Sequence, residues 1–389
     1  MVQRISIGKG QMAYRISAGA IHVGEPVSQD ILDADGVLLL RRGSRIDSQR
    51  VLDRLFEDGL FIKDLGEGVG ADKRILPTEK SNALQLLLDA RRLFNRAITN
   101  PKAELVFPVH IGRVAELVDQ ACETNADVSI ATILLLQDIS YAARHHINTA
   151  VICNLLCKAM SMPDHEARTI TAAALTMNIG MYEVQDKLNE IKGELNPKLR
   201  GLIAAHPEQS VLRLKKLGVE DPVWLRCVEQ HHECEDGSGY PNGLIGVAIE
   251  PGARVIALAD RYCAQVSSRS YRAARAPGLA LKALLEQQGE QINASVAAHL
   301  RRIVGLYPPG TIVRLKNNEV AVVKTPSPRN PDTPTAFAMI SPKGEPLTEP
   351  LPRRTAMSDY KITDVLTIET IDFPIQMSRL WGDEASLAY

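Results

Sequence analysis

The sequence predicts a mainly α protein in which a helical core is flanked by small N-terminal and C-terminal β-rich modules. Apolar residues recur at helical spacing from about Ser81 to Leu306, with few helix breakers between them. Short apolar runs separated by turn residues occur before about residue 75 and again after Tyr307, and these predict strands. The length of 389 residues exceeds what one hydrophobic core usually fills, so we expect several domains.

The composition is that of a globular protein and excludes several classes of partner. The 45 Lys and Arg residues nearly balance the 46 Asp and Glu residues, which argues against nucleic acid and leaves anion recognition to local clusters. No apolar run has transmembrane length, and the start of the chain lacks the apolar core of a signal peptide. We therefore expect no membrane insertion and a cytoplasmic location. The six dispersed cysteines form no CxxC pair, which favours reduced thiols.

The first predicted module spans residues 1–75. Turn residues separate its short apolar runs, as at Asp35-Gly36, and predict strands on either side. Ser48 predicts the start of a short helix, and Phe61-Ile62 predicts a strand after it. A polar, glycine-containing linker follows, and residues 76–125 are predicted to be a helical connector.

The main helical domain is predicted over residues 126–306. Pro207 predicts a helix start, because proline is tolerated in the first turn of a helix. Asp221-Pro222 predicts another start, and that helix would carry His231 and His232 at its C-terminal end. The stretch after these histidines is rich in glycine, so we expect an ordered turn between two helices.

The last predicted module spans residues 307–389. Strands are expected at 311–315, 320–323 and 336–340, with a turn at Asn317-Asn318 between the first two. The Thr- and Ile-rich tail after residue 361 fits either one more strand or an extension without regular structure.

The histidines give the first indication of chemistry. Five of the nine lie in the central stretch: His145, His146, His206, His231 and His232. Asp260 is a further candidate, because its carboxylate interrupts an apolar helix, where a charge is costly unless a cation or donor compensates for it. Neutral imidazoles and carboxylates are the usual ligands of hydrolytic transition metals. Taken singly, each residue also fits a structural role, such as a helix-entry turn or an ion pair with a nearby arginine.

A longer pattern favours a site over these structural roles. Residues 231–244 read HHECEDGSGYPNGL, and an alanine-aspartate pair at 259–260 and the segment RSYR at 269–272 follow. This pattern resembles the signature of the HD-GYP family, cyclic di-GMP phosphodiesterases of the HD hydrolase superfamily, over roughly residues 125–310. The resemblance implies an HD-superfamily helical bundle that holds two or three metal ions, often iron or manganese.

The resemblance also assigns roles to individual residues. The implied metal ligands are His145, His206, His231, His232 and Asp260. Arg269 and Arg272 are implied to face nucleotide phosphates, with surface ion pairs as the alternative, and Tyr240 is implied to contact a ligand or a partner. The loop residues of the signature, which we expect to be needed for its backbone conformation, are Asp236, Gly237, Gly239, Tyr240 and Pro241.

The chain departs from the family at its central motif. The family sequence HDIGK aligns with Met177-Asn178-Ile179-Gly180-Met181, so the turn is kept while the metal-binding pair and the phosphate-facing lysine are replaced. A methionine thioether does not suit a hard or borderline cation, and a neutral amide cannot bridge two metals as a carboxylate does. Cys263 and Tyr141 also stand where some members have carboxylates, and we expect Cys263 to be a packed thiol. The sequence predicts a mononuclear site or none.

Three hypotheses about function follow. The first is a cyclic di-GMP signalling protein that binds the nucleotide, a partner protein or both, and hydrolyses poorly or not at all. The second is an active metal-dependent phosphodiesterase that uses the remaining ligands, and the third is a protein-interaction module without metal or nucleotide. The expected partners are cyclic di-GMP and a GGDEF-type or other signalling protein, with a homodimer left open.

Overall fold

Helices make up most of the described chain, and small antiparallel sheets lie near both of its ends, which confirms the predicted mainly α fold class. The structure is a computed structural model, and it describes the chain except for a set of short segments. These are residues 1–3, 8–10, 16–23, 28, 33–37, 47–60, 64–81, 100–106, 138, 192–195, 269–273, 328–329, 372 and 387–389. The chain divides into two units. One comprises residues 1–80, 96–113 and 216–219, and the other comprises residues 81–95, 114–215 and 220–389.

The N-terminal sheet has five antiparallel strands in the order β1-β2-β5-β3-β4. The strands are β1 (Arg4–Ile7), β2 (Gln11–Arg15), β3 (Ile31–Leu32), β4 (Leu38–Leu40) and β5 (Phe61–Lys63). The predicted strand at Phe61-Ile62 is therefore present. The turn expected at Asp35-Gly36, the helix expected from Ser48 and most of the expected linker lie outside the described residues.

Eleven α-helices follow in the described chain before the second sheet. They are α1 (Ala83–Thr99), α2 (Phe107–Thr124), α3 (Ala126–Leu135), α4 (Tyr141–Ala159), α5 (Asp164–Thr176), α6 (Tyr182–Glu190), α7 (Pro197–Lys216), α8 (Pro222–Gln230), α9 (Pro251–Val266), α10 (Pro277–Leu285) and α11 (Ala294–Val304). Helix α4 is buried on all sides over 141–157, and it packs against α5 and α9. A helix without an exposed face belongs in a core, so α4 is the central helix of the bundle. None of the described helices is both long and apolar enough to cross a membrane.

Helix α7 differs from the prediction. It runs from Pro197 to Lys216 and contains Pro207 in its interior, so the predicted helix start at Pro207 is wrong. Proline lacks the N–H that would bond to the carbonyl four residues earlier, and this usually disfavours a helix interior. Here a side chain bonds to that carbonyl instead, as described below.

Helix α8 begins as predicted. The Oδ1 atom of Asp221 accepts hydrogen bonds from the backbone N–H groups of Val223, at 2.8 Å, and Trp224, at 3.1 Å. Pro222 occupies the first turn, where its missing N–H costs nothing. Within the same unit, the indole N–H of Trp224 donates to Thr176 Oγ1 at 2.8 Å and ties α8 to the end of α5.

The C-terminal sheet has five antiparallel strands in the order β10-β6-β7-β8-β9. The strands are β6 (Ile312–Leu315), β7 (Val320–Thr325), β8 (Thr335–Ile340), β9 (Pro346–Arg354) and β10 (Ile362–Leu366). Three of them match the predicted strands, and β10 shows that the tail begins as a strand. Strand β9 was not predicted, because it contains three prolines, which a sheet tolerates only at an edge such as the one β9 forms. A short 3₁₀ turn (Ile368–Thr370) and the helix α12 (Met377–Trp381) follow.

Candidate metal centre

Four of the five predicted metal ligands line one cavity in the helical bundle. The cavity has a volume of about 410 Å³, which is within the usual range for small-molecule sites. Its walls come from α4, α6, α7, α9 and the segments between helices. The lining residues are Tyr141, His145, Asn178, Met181, Gln185, Leu188, Asn189, Ile191, Ile203, His206, His232, Tyr240, Asp260 and Ala264. The fifth ligand, His231, lies directly behind His206 and is fully buried.

His206 is oriented by the proline that follows it. Because Pro207 has no N–H, the carbonyl of Ile203 lacks its usual helical donor, and His206 Nδ1–H donates to that oxygen at 2.5 Å. The bond fixes the neutral ring in the tautomer that carries its proton on Nδ1. The Nε2 atom of His206 is therefore left with a lone pair. Burial and the nearby His231 lower the pKa of His206 to about 3, so the ring stays neutral.

His231 is oriented in the same way by the end of a helix. It caps α8 at its C-terminus, where the last carbonyl groups have no intrahelical donor. His231 Nδ1–H donates to the carbonyl of Val228 at 2.6 Å, which again leaves a lone pair on Nε2. Burial lowers the pKa of His231, so this ring also stays neutral.

The two lone pairs face each other. The Nε2 atoms of His206 and His231 are 3.2 Å apart, and with both protons on Nδ1 neither atom can donate to the other. Such a contact is repulsive unless a cation lies beside both nitrogens. A ring nitrogen of His232 belongs to the same cluster, since ligand atoms of the three histidines all lie within 4.8 Å of one another. The arrangement suits one transition-metal ion held by three neutral imidazoles.

Tyr240 holds the third ring of the cluster. Its phenol ring stacks on the imidazole of His232, with centroids 4.7 Å apart and planes inclined by 23°. Burial raises the pKa of Tyr240, so its hydroxyl stays neutral against the cavity. The backbone N–H of Tyr240 donates to the His232 carbonyl at 3.2 Å. Gly239 permits this close return, because a Cβ there would lie 2.4 Å from the backbone nitrogen of Cys234.

A buried carboxylate that the sequence analysis did not identify fixes the loop that carries Tyr240. Glu233 Oε1 accepts from the N–H of Asn242 at 2.7 Å, and Glu233 Oε2 accepts from the N–H of Leu244 at 2.9 Å. Asp236 adds a local bond, since its Oδ1 accepts from the hydroxyl of Ser238 at 2.6 Å. Glu233 thus has a positioning role. Its place directly after the two histidines of the motif is the sequence signal that could have identified it.

His145 and Asp260 form a buried pair in the lining of the cavity. His145 Nε2 is 2.6 Å from Asp260 Oδ1, and both side chains are almost completely buried. Burial alone would raise the pKa of Asp260, but the hydrogen bond and charge of His145 lower it overall. The other ring nitrogen of His145 has no hydrogen-bond partner among the described residues. The charges of His231 and His232 also contribute to lowering the pKa of Asp260, whose carboxylate lines the same cavity as His206 and His232.

Residues 177–181, which the resemblance aligns with the family's central motif, form the turn between α5 and α6. Met177 is fully buried and packs in the core, whereas Asn178 and Met181 line the cavity. The amide oxygen of Asn178 is buried and has no hydrogen-bond partner in the described chain. Gly180 donates its N–H to Ser210 Oγ at 2.9 Å, and a Cβ on Gly180 would lie 2.6 Å from the Ser210 nitrogen. The Ile179-Gly180 step therefore has a packing role that does not depend on a metal-binding pair.

The remaining predicted residues lie elsewhere. Arg269 and Arg272 lie outside the described residues. Cys263 is fully buried, does not line the cavity, and has its pKa raised by burial. His146 packs against Phe94 and Tyr182 in the core and is not among the residues that line the cavity. Gln185 also lines the cavity, with a buried and unpartnered amide oxygen, and the sequence pattern carried no indication of it.

The chain is similar in sequence to several known proteins. Residues 129–296 match a family model described as an HD domain. A cyclic di-GMP phosphodiesterase from Pseudomonas aeruginosa is 25% identical over 240 residues, which cover 61% of this chain and 58% of that protein. A 3'3'-cGAMP-specific phosphodiesterase from Vibrio cholerae is 30% identical over 168 residues, or 43% of this chain and 36% of that protein. The chain thus spans less than two thirds of these curated relatives.

A solved structure was also found to be similar. It is an HDG"Y"P protein from Bdellovibrio bacteriovorus, with a TM-score of 0.47 and 15% sequence identity. The match covers 75% of this chain and 99% of that chain.

The Glu233 contacts give a first testable prediction. Replacing Glu233 with Ala leaves the N–H groups of Asn242 and Leu244 without acceptors, and the free energy of unfolding should fall by about 1–3 kcal/mol. Amide hydrogen exchange over residues 237–245 should accelerate in the Glu233→Ala protein. Glu233→Gln, which retains one amide oxygen as an acceptor, should show a smaller change. Unchanged exchange in the Glu233→Ala protein would show that the carboxylate does not hold the loop.

Proposed function

Because the chain carries an HD domain of the HD-GYP family, we propose that it is a cyclic di-GMP signalling protein that binds the nucleotide in the histidine cavity. It does so around a single transition-metal ion and hydrolyses the nucleotide poorly or not at all. The converging lone pairs of His206 and His231 support the metal most directly.

The metal would be held by chain residues that are already neutral and oriented. His206, His231 and His232 would bind it through ring nitrogens, and the carboxylate of Asp260 would balance part of its charge. Iron or manganese is the expected identity, since both accept mixed imidazole and carboxylate ligands. Such an ion supplies Lewis acidity toward a phosphoryl oxygen. The protein's own contribution is to hold the rings of His206 and His231 in the tautomer that leaves their Nε2 atoms free to bind.

The proposed impairment follows from what occupies the central motif. Two-metal phosphodiester hydrolysis needs a bridging carboxylate to hold the second ion close to the first. Asn178 offers only a neutral oxygen to the cavity, and Met177 faces the core. Met181 presents a thioether to the cavity instead of a cation. These three substitutions remove the second metal and a phosphate contact together, which favours binding over turnover.

The relatives' names support a cyclic dinucleotide as the ligand. Both are phosphodiesterases, one for cyclic di-GMP and one specific for 3'3'-cGAMP. The cavity offers neutral hydrogen-bonding groups to such a ligand, among them Asn178, Gln185 and Tyr240. Apolar side chains of α6 and α7 complete the wall, with Leu188 and Ile203 among them, and fit the flat face of a base.

Metal content tests the centre. Protein prepared in iron or manganese should retain about one equivalent of metal per chain, and His231→Ala should reduce this severalfold, because one of three converging imidazoles is lost. The measurement is elemental analysis of the purified protein. His165→Ala changes an exposed histidine and is the matched control. Metal content that is equal in all three proteins would contradict the assignment.

Restoration of the motif tests the proposed impairment. Cyclic di-GMP should bind the wild-type chain in calorimetry with little linear product formed. Asn178→Asp, alone and with Met177→His, should raise both the metal content and the hydrolysis rate, because a bridging carboxylate returns to the cavity wall. Hydrolysis by the wild-type chain that disappears in His231→Ala would instead identify an active phosphodiesterase. A wild-type chain that binds no cyclic di-GMP and retains no metal would instead identify an interaction module.

A further inference from the structure

The cavity lacks a cation for the phosphate groups of its proposed ligand. No Lys or Arg is among its described lining residues, and Asp260 adds negative charge. A cyclic dinucleotide carries two phosphodiester charges, and charge-assisted hydrogen bonds from Arg or Lys are the usual means of binding them. Apart from the proposed metal ion, any cation that binds the phosphates has to come from outside these described walls.

A second, more open cleft adjoins the cavity and contains such a cation. The two share Tyr141 and Asn189 in their walls. The lining of the open cleft is completed by Gln137, Arg144, Ser268, Ile368 and Glu369. Arg144 directly precedes His145 and lies in the first turn of α4, where the helix dipole adds positive potential. Its guanidinium is thus a cation in this cleft that adjoins a predicted metal ligand in sequence.

An acidic side chain from the C-terminal module lies in the same cleft. Glu369 belongs to the short 3₁₀ turn that follows β10. Burial alone would raise the pKa of Glu369, but hydrogen bonds from the Ser268 hydroxyl, from its own backbone N–H and from the Thr367 hydroxyl lower it overall, and the charge of Arg144 makes the smallest contribution. Its carboxylate lies in one cleft with a hydroxyl and a guanidinium, the two groups that also recognise phosphate oxygens.

From this arrangement we infer that Arg144 and Ser268 form a phosphate-binding subsite at the mouth of the histidine cavity, and that Glu369 occupies it when no ligand is bound. The ligand class is a phosphate ester or phosphodiester, and the inference rests on the proposed function for its identification as a cyclic dinucleotide. A phosphate group entering the subsite displaces the carboxylate. Ligand binding is thereby coupled to the position of residues 367–369 and of the C-terminal sheet that carries them.

The alternative is an ion pair that only attaches the C-terminal segment to the bundle. Such a pair would contribute to stability, and removal of either partner would lower the melting temperature without opposite effects on affinity. If Glu369 competes with the ligand for the subsite, removing Arg144 and removing Glu369 change the ligand affinity in opposite directions. Arg144→Gln removes the cation, whereas Glu369→Gln removes the competitor and keeps the cation.

The test titrates cyclic di-GMP and inorganic pyrophosphate into the full chain by calorimetry. Glu369→Gln should bind severalfold more tightly than wild type, and Arg144→Gln should bind at least about tenfold more weakly. The double variant should match Arg144→Gln, because no competitor matters once the cation is gone. Glu349→Gln on β9 and Arg302→Gln on α11 change exposed residues and are the matched controls.

The outcomes separate the subsite from the proposed function. If cyclic di-GMP binds but neither Arg144→Gln nor Glu369→Gln alters its affinity, the subsite is wrong and nucleotide binding stands. If only pyrophosphate binds, and does so in an Arg144-dependent way, the subsite stands and the cyclic dinucleotide is wrong. If neither probe binds even Glu369→Gln, the subsite is overturned.

Discussion

The site depends on two histidine rings whose protons are tied to backbone carbonyls. His206 and His231 each donate from Nδ1 to a carbonyl that has no other helical donor, and this places two lone pairs 3.2 Å apart. The free carbonyl arises in one case from Pro207 and in the other from the end of α8. The proline and the helix end thus bring two Nε2 lone pairs together, and their repulsion is relieved when a cation binds between them. Glu233 holds the neighbouring loop, which carries Tyr240, and Tyr240 stacks on the ring of His232 in the same cluster.

The rest of the cavity is unusually neutral for a site that is proposed to take a charged ligand. The residues of the central motif contribute an amide and a thioether, and the described walls carry one carboxylate and neither Lys nor Arg. Binding energy for phosphate must then come from the metal and from outside the walls. Because Met181 presents a thioether and no charge to the cavity, the proposed cation of Arg144 at the mouth becomes more important for binding phosphate. It also makes the C-terminal segment around Glu369 part of the site.

The sequence predicted the fold class, the α8 start at Asp221 and the converging histidines, because each follows from a local pattern or a recognisable motif. It did not predict the continuation of α7 through Pro207, since the compensating bond from His206 to Ile203 is a property of side-chain geometry. Strand β9 was not predicted, because its three prolines disfavour a strand in the sequence although an edge strand tolerates them. Gln185, Arg144 and Glu369 come together only through tertiary packing, over separations that no spacing rule covers. Arg269 and Arg272 lie outside the described residues and stay predictions.

The central claim is that both rings carry their protons on Nδ1 and present lone pairs on Nε2. Long-range ¹H–¹⁵N correlation spectra of the histidine side chains measure this directly in the metal-free protein. The account predicts that His206 and His231 appear as neutral Nδ1–H tautomers at neutral pH, and that their Nε2 resonances shift or broaden when manganese or iron is added. An Nε2–H tautomer for either ring, or Nε2 resonances that do not respond to metal, would contradict it.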